Sequence, residues 1–367
     1  MQFQYRFCSN IFFGEGAVSA NAESWLLGRR AYILSGASSG RKSGALLDVE
    51  AVLKSHNISY ETFEGIGNNP DVEQCIELSQ SVVSFGADFI IAIGGGSPMD
   101  AAKAVAAFAC NEGLTVQRLF KNDFESVLPI VAIPTTSGTG SEVTPWSVLT
   151  RRDLNSKFSF GNEKTLPAVA LLDPNYTKSL PRNVVLHTAM DACTHLIEGI
   201  ISIKNTPITD ALAVEGLRRF GLLLPALEKD DMEKIRSDLM LASMLGGVVI
   251  AKTGTTIMHG MGYPLTYYHN YSHGEANCAV LPGYLRFVER AAPERLKIVY
   301  DALGLNMEGL CGFVERNFKF ELKLSGQEIE HYAKQTMQQG STRNMPVEIT
   351  QEILAQLYEQ SFVGAKA

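Results

Sequence analysis

The run Phe89-Ile90-Ile91-Ala92-Ile93 passes without interruption into Gly94-Gly95-Gly96-Ser97-Pro98-Met99-Asp100. Five consecutive apolar residues suit a strand buried on both faces, as parallel strands covered by helices are. Three glycines then allow backbone conformations and close approaches that a side chain would block. Ser97 suits an N-cap and Pro98 a first helical position, so a helix is expected over residues 99–108, its free amides aimed back at the turn. A strand, a glycine turn and a helix N-terminus together suit a phosphate. A tight structural turn has the same outline, and this one is not the G-x-G-x-x-G fingerprint.

The surrounding segments repeat the rhythm. Apolar runs at residues 31–34, 58–63, 130–133 and 169–172 alternate with amphipathic stretches, such as residues 71–85 with Val72, Ile76, Leu78, Val82 and Val83. Residues 1–178 therefore read as an α/β dinucleotide-binding domain with a parallel sheet. Beyond Asp173-Pro174 the pattern changes to long helix-forming stretches over 183–200, 209–224 and 232–251. Residues 179–367 read as an all-α domain, with Pro174 and Pro181 bracketing the change. A chain of 367 residues is long enough for two such domains.

A second loop strengthens the phosphate reading. Ile130-Val131-Ala132-Ile133 runs into Pro134-Thr135-Thr136-Ser137-Gly138-Thr139-Gly140-Ser141-Glu142, a hydroxyl-rich turn directly after another buried strand. Adjacent strand ends carrying such loops are where open α/β sheets bind ligands. The earlier turn, Ser35-Gly36-Ala37-Ser38-Ser39-Gly40-Arg41-Lys42, lacks the acidic residue that an NAD site places against the ribose hydroxyls. Gly36, Ser38 and Ser39 with Arg41 or Lys42 would suit a 2′-phosphate instead, so NADP(H) is expected over NAD(H).

The helical half carries a different chemistry. Asp191 and His195, four residues apart, would share one face of a helix. His259-Gly260 and His273-Gly274 lie within residues 258–276, rich in Gly, Pro and Tyr, where a histidine beside glycine could leave a helix end and turn inward. One carboxylate and three neutral imidazoles suit Fe²⁺ or Zn²⁺ better than Mg²⁺ or Ca²⁺. The remaining histidines, His56, His187, His269 and His331, are expected elsewhere.

A net charge of −7 argues against a nucleic-acid surface, which needs clustered Lys and Arg. No secretory pattern opens the chain, and no apolar run approaches the ~20 residues of a membrane span. Six scattered cysteines without a CxxC pair read as reduced thiols, so a cytoplasmic protein is expected.

These segments together resemble the iron-containing alcohol dehydrogenase family, also called group III alcohol dehydrogenases. The matching stretches are residues 94–103, 134–142, Asp173 with Pro181, 191–198, and His259 to His273-Gly274. The resemblance implies a dehydroquinate synthase-like two-domain fold and metal held by Asp191, His195, His259 and His273. It implies dinucleotide contacts from Gly95, Gly96, Ser97, Asp100, Thr135, Thr136, Ser141 and Lys157, beside the turn at Gly94, and a homodimer or larger homo-oligomer. Many members carry another histidine four residues after the third ligand; this chain has Tyr263, either an acid near the reacting oxygen or, as its phenol pKa near 10 favours, part of the pocket lining. The expected activity is metal-dependent hydride transfer between NAD(P)(H) and a small aliphatic alcohol, diol or aldehyde. The alternatives are a dehydroquinate synthase-like or glycerol dehydrogenase-like enzyme, and a non-catalytic dinucleotide-binding regulator. A phosphorylated acid would need cations, and residues 258–279 hold no Lys or Arg.

Overall fold

The computed structural model describes residues 3–362. Two compact units divide after Pro181, three residues beyond the boundary expected at 178/179. In the first unit lie eight strands: β1 (Asn10–Phe13), β2 (Arg30–Gly36), β3 (Ser59–Ile66), β4 (Phe89–Gly94), β5 (Ile130–Pro134), β6 (Ser147–Arg151), β7 (Ser156–Phe160) and β8 (Val169–Leu172). Six form a parallel sheet in the order β1-β8-β5-β4-β2-β3, and β6 pairs antiparallel with β7 in a separate hairpin.

β4 sits in the middle of that sheet and is buried along its whole length. Ile90 and Ala92 enter the core on one face, while Phe89, Ile91 and Ile93 enter the core on the other. This two-sided burial is why its sequence is continuously apolar rather than alternating. The chain runs outward from β2 to β3 in one direction and from β4 to β5 in the other, so strand order reverses between β2 and β4. Open α/β sheets bind ligands beyond the carboxyl ends of the strands at such a switch point.

The helix after β4 spans Gly96–Cys110 with Gly95 as its N-cap, so it begins earlier than the expected start at Met99 and Ser97 is not its cap. The glycines allow this: Gly94 has φ +146°, and the helix opens at Gly96, one residue before the serine.

Among the described residues the second unit has helices and no strand. Its first helix, Arg182–Ile201, is apolar and long enough by composition to cross a membrane, contrary to the expectation that no such stretch exists. Most of that helix is buried inside the protein, and its interior positions include Asp191, His195 and Glu198. Residues 258–276 also differ from expectation. They form the helix Ile257–Tyr268 and the start of the helix His273–Ala291, so His259 lies in a first helical turn and His273 is a first helical residue.

Candidate active site

Three turns converge at the carboxyl end of the sheet. The Thr135 amide donates to the Gly94 carbonyl at 2.8 Å, joining the turns after β5 and β4. A Cβ on Gly96 would fall 2.8 Å from the Thr139 methyl, and one on Gly94 would fall 2.7 Å from Pro98 and 3.1 Å from Ser39 Oγ. Side chains at these positions would therefore fill the space where the turns after β2, β4 and β5 meet. The buried Thr135 hydroxyl has no hydrogen-bond partner among the described residues. Clear backbone, a hydroxyl awaiting a partner and the amides of a 15-residue helix suit the diphosphate of a dinucleotide. Gly36, Ser38, Ser39, Gly94, Gly95, Thr135 and Thr136 lie at these turns, and Gly96 and Ser97 open the helix that follows.

Three other expected contacts are committed to protein groups. Asp100 accepts from Ser141 Oγ at 2.6 Å and from the Val148 amide at 3.0 Å. Lys157 Nζ donates to Asn69 Oδ1 at 2.9 Å. Arg41, considered for a 2′-phosphate, is paired with Glu64 at 2.6 Å.

Lys103 has no role in the sequence reading, yet it braces the hydroxyl-rich loop. Its fully buried ammonium donates to Ser141 O, Ser141 Oγ and Trp146 O at 2.9, 2.6 and 2.7 Å. Burial lowers its pKa to about 8, against the pull of Asp100 and Glu142. Burial also raises the nearby Glu142 carboxyl to about 7.

In the helical unit, donor atoms of Asp191, His195 and His259 all lie within 4.8 Å of one another, and all three side chains are buried. His259 Nε2 is 3.5 Å and His273 Nε2 3.8 Å from Asp191 Oδ1. His273 stands slightly outside the tight trio and is the one partly exposed member, at 26%. The Arg182–Ile201 helix supplies two donors because residues four apart share a face.

Burial would raise the Asp191 carboxyl, but the His273, His195 and His259 imidazoles outweigh it and hold it well below the usual carboxylate range. Burial would lower His259, yet Glu198 and Asp191 raise it to about 9. A buried carboxylate among three imidazoles fits a divalent transition metal, which would take the place of the imidazole proton.

Glu198 is fully buried and has a hydrogen bond with His259 Nδ1, while also accepting from the Thr256 amide at 2.9 Å and the Thr256 hydroxyl at 2.6 Å. A carboxylate behind a ligating histidine fixes its tautomer and orientation. The signal for Glu198 was present in the sequence: Asp191, His195 and Glu198 follow i, i+4, i+7 spacing on one helical face. Tyr263 stacks on His273 with ring centroids 5.9 Å apart and planes at 22°. The other histidines bond away from the trio. His56 Nδ1 meets the Val52 carbonyl, His187 meets Ser272 Oγ, His269 meets Tyr332 and His331 meets Tyr268.

Two family descriptions match: "iron-containing alcohol dehydrogenase" over residues 8–174 and "Fe-containing alcohol dehydrogenase family, C-terminal" over residues 185–362. An NADPH-dependent butanol dehydrogenase of Clostridium saccharobutylicum is 31% identical over 291 residues, covering 78% of this chain and 74% of that one. The chain belongs to the iron-containing alcohol dehydrogenase family. A 1,3-propanediol dehydrogenase of Citrobacter freundii is 31% identical over 313 residues, 84% of this chain and 81% of its own. The crystal structure of an iron-containing alcohol dehydrogenase from Thermotoga maritima superposes with a TM-score of 0.91 at 34% identity, covering 99% of this chain and 100% of that one. Within this family of alcohol and aldehyde oxidoreductases, the parallel sheet and the helical unit are shared architecture, and the chain is an oxidoreductase.

Proposed function

We propose that this oxidoreductase interconverts a small, uncharged aliphatic alcohol or diol and its aldehyde, with NADP(H) preferred over NAD(H). The observation that carries the substrate class is the absence of any Lys or Arg across residues 258–279, the segment bearing His259, Tyr263 and His273. A phosphorylated or acidic substrate would call for a cation there, which disfavours a dehydroquinate synthase-like reaction.

Asp191, His195, His259 and His273 would hold Fe²⁺ or Zn²⁺. When bound, the metal supplies Lewis-acid polarisation of the substrate oxygen and the nicotinamide supplies or accepts the hydride. Glu198 keeps the His259 Nδ1 edge occupied, which leaves Nε2 as the donor edge. Tyr263, flat against His273 and almost buried, lines the substrate side. Gly95, Gly96, Thr135 and Thr136 would cradle the diphosphate.

Two features support NADP. No carboxylate stands on the turn after β2, and the butanol dehydrogenase relative is NADPH-dependent. Arg41 is already held by Glu64, so the hydroxyls of Ser38 and Ser39 with Lys42 carry the preference. The six free cysteines support a reducing, cytoplasmic setting, and family habit supports a homodimer or larger assembly.

Steady-state kinetics with short aldehydes, measured with NADPH and NADH in parallel, test the proposal. Higher kcat/KM with NADPH and an aliphatic aldehyde supports it. Higher kcat/KM with NADH sinks the cofactor preference, and turnover confined to charged substrates sinks the substrate class.

A further inference from the structure

Asn277 lies one helical turn after His273 and is fully buried. Its Nδ2 donates to Asp191 Oδ1 at 2.9 Å and stands 3.1 Å from His259 Nε2. The same Asp191 oxygen faces both His259 Nε2 and His273 Nε2. The amide therefore sits where donors from three helices converge.

Its orientation is dictated by chemistry. An ionised carboxylate only accepts, so the NH₂ group must face Asp191 and the amide oxygen must turn away. That oxygen, Oδ1, is buried with no hydrogen-bond partner among the described residues. A Cβ on Gly262 would fall 2.6 Å from it, so the glycine one turn beyond His259 makes room for this side chain. An unsatisfied buried amide oxygen costs about 1–3 kcal/mol. An apolar side chain of similar volume would remove that cost, so packing alone does not account for an asparagine here.

We propose that Asn277 is a positioning residue of the metal centre: its amide fixes which Asp191 oxygen faces the ion and spaces that carboxylate from His259. This rests on the metal reading of Asp191, His195, His259 and His273. Partners behind the ligands of metal sites alter affinity by about 10–100-fold when removed.

The test is Zn²⁺ affinity measured by competition with a chromophoric chelator, for the parent protein, Asn277→Leu and Asn277→Ser. Dinucleotide affinity is measured alongside to confirm a folded α/β unit, and melting of the helical unit by circular dichroism. Both variants should lose about 10–100-fold in Zn²⁺ affinity while dinucleotide affinity stays within about twofold. The visible d–d bands of the Co²⁺-loaded variants should also differ from those of the parent, a change that a purely structural role would not produce. Asn277→Ser covers the case in which leucine prevents folding, because the smaller side chain cannot overpack the site. Parent-like Zn²⁺ affinity and Co²⁺ bands in a folded variant would overturn the inference alone. Failure of the parent itself to bind Zn²⁺ or Co²⁺ would instead overturn the metal reading on which it stands.

Discussion

His259 presents opposite edges of its ring to two buried carboxylates: Nδ1 hydrogen-bonds with Glu198, and Nε2 lies 3.5 Å from Asp191. Both carboxylates come from the same helix, Arg182–Ile201, seven residues apart. One helix thus supplies a candidate metal donor, Asp191, and the carboxylate that hydrogen-bonds a second candidate, His259, on another helix.

Glu198→Gln tests that arrangement. The substitution keeps the shape and a neutral acceptor but removes the charge that makes His259 more basic. Metal affinity should fall about 10–100-fold, with dinucleotide affinity unchanged. Chelator competition reads the first quantity and fluorescence titration the second. An unchanged metal affinity would leave Glu198 with only a packing role.

Gly274→Ala should abolish metal binding. A Cβ there would lie 1.8 Å from the His187 carbonyl oxygen and 3.1 Å from Asp191 Cβ. The first contact is with backbone, so the helix carrying His273 would have to move away from the helix carrying Asp191. Elemental analysis of the purified variant checks this, and a full metal complement would show that the two helices can separate without loss.

Lys103→Met should weaken dinucleotide binding at least about tenfold, because the three hydrogen bonds that brace Ser141 and Trp146 disappear. It should also destabilise the α/β unit by about 3–5 kcal/mol, since the partly buried Asp100 carboxylate loses the fully buried ammonium 3.7 Å away. Urea denaturation and dinucleotide titration measure the two effects separately.

Glu142 gives the stability a pH dependence. Its carboxyl is raised by burial from an ordinary 4.5 to about 7. Between those limits the folded chain binds more protons than the unfolded one, so this group's contribution falls as pH rises through the window. The loss is about 3 kcal/mol and is complete above pH 7. Glu142→Gln cannot ionise, so its stability relative to the parent should improve by that order between pH 4.5 and 7 in urea denaturation. A constant difference across the window would contradict the assignment.

Much of this was legible in the sequence because period and burial agree. The five apolar runs became five strands of the sheet, since buried parallel strands need continuous apolar residues. β1 and the β6–β7 hairpin were missed. β1 is only four residues at a sheet edge, and β7 reads Ser-Lys-Phe-Ser-Phe with polar residues turned inward, Lys157 among them. That Asp191, His195 and His259 come together was legible because the donor chemistry of carboxylate and imidazole is distinctive. Their support was legible only for Glu198, through its i, i+4, i+7 spacing with Asp191 and His195; Asn277 and Lys103 act through contacts between segments 86 and 38 residues apart, which spacing along one element does not reveal. The glycine turn illustrates the limit of local rules. Ser97 and Pro98 satisfy capping preferences, but the helix starts earlier, at Gly96, beside glycines where a Cβ would crowd Pro98 and Thr139.

One ion held by Asp191, His195, His259 and His273 would make this chain a metal-dependent dehydrogenase. The most direct measurement titrates metal-stripped protein with Fe²⁺ under anaerobic conditions and follows NADPH oxidation with a short aldehyde, in parallel with His259→Ala. Activity should rise with added Fe²⁺ and saturate at one equivalent per chain, and His259→Ala should neither retain metal nor turn over. Full activity in the stripped protein, or in a metal-free His259→Ala, would contradict the account.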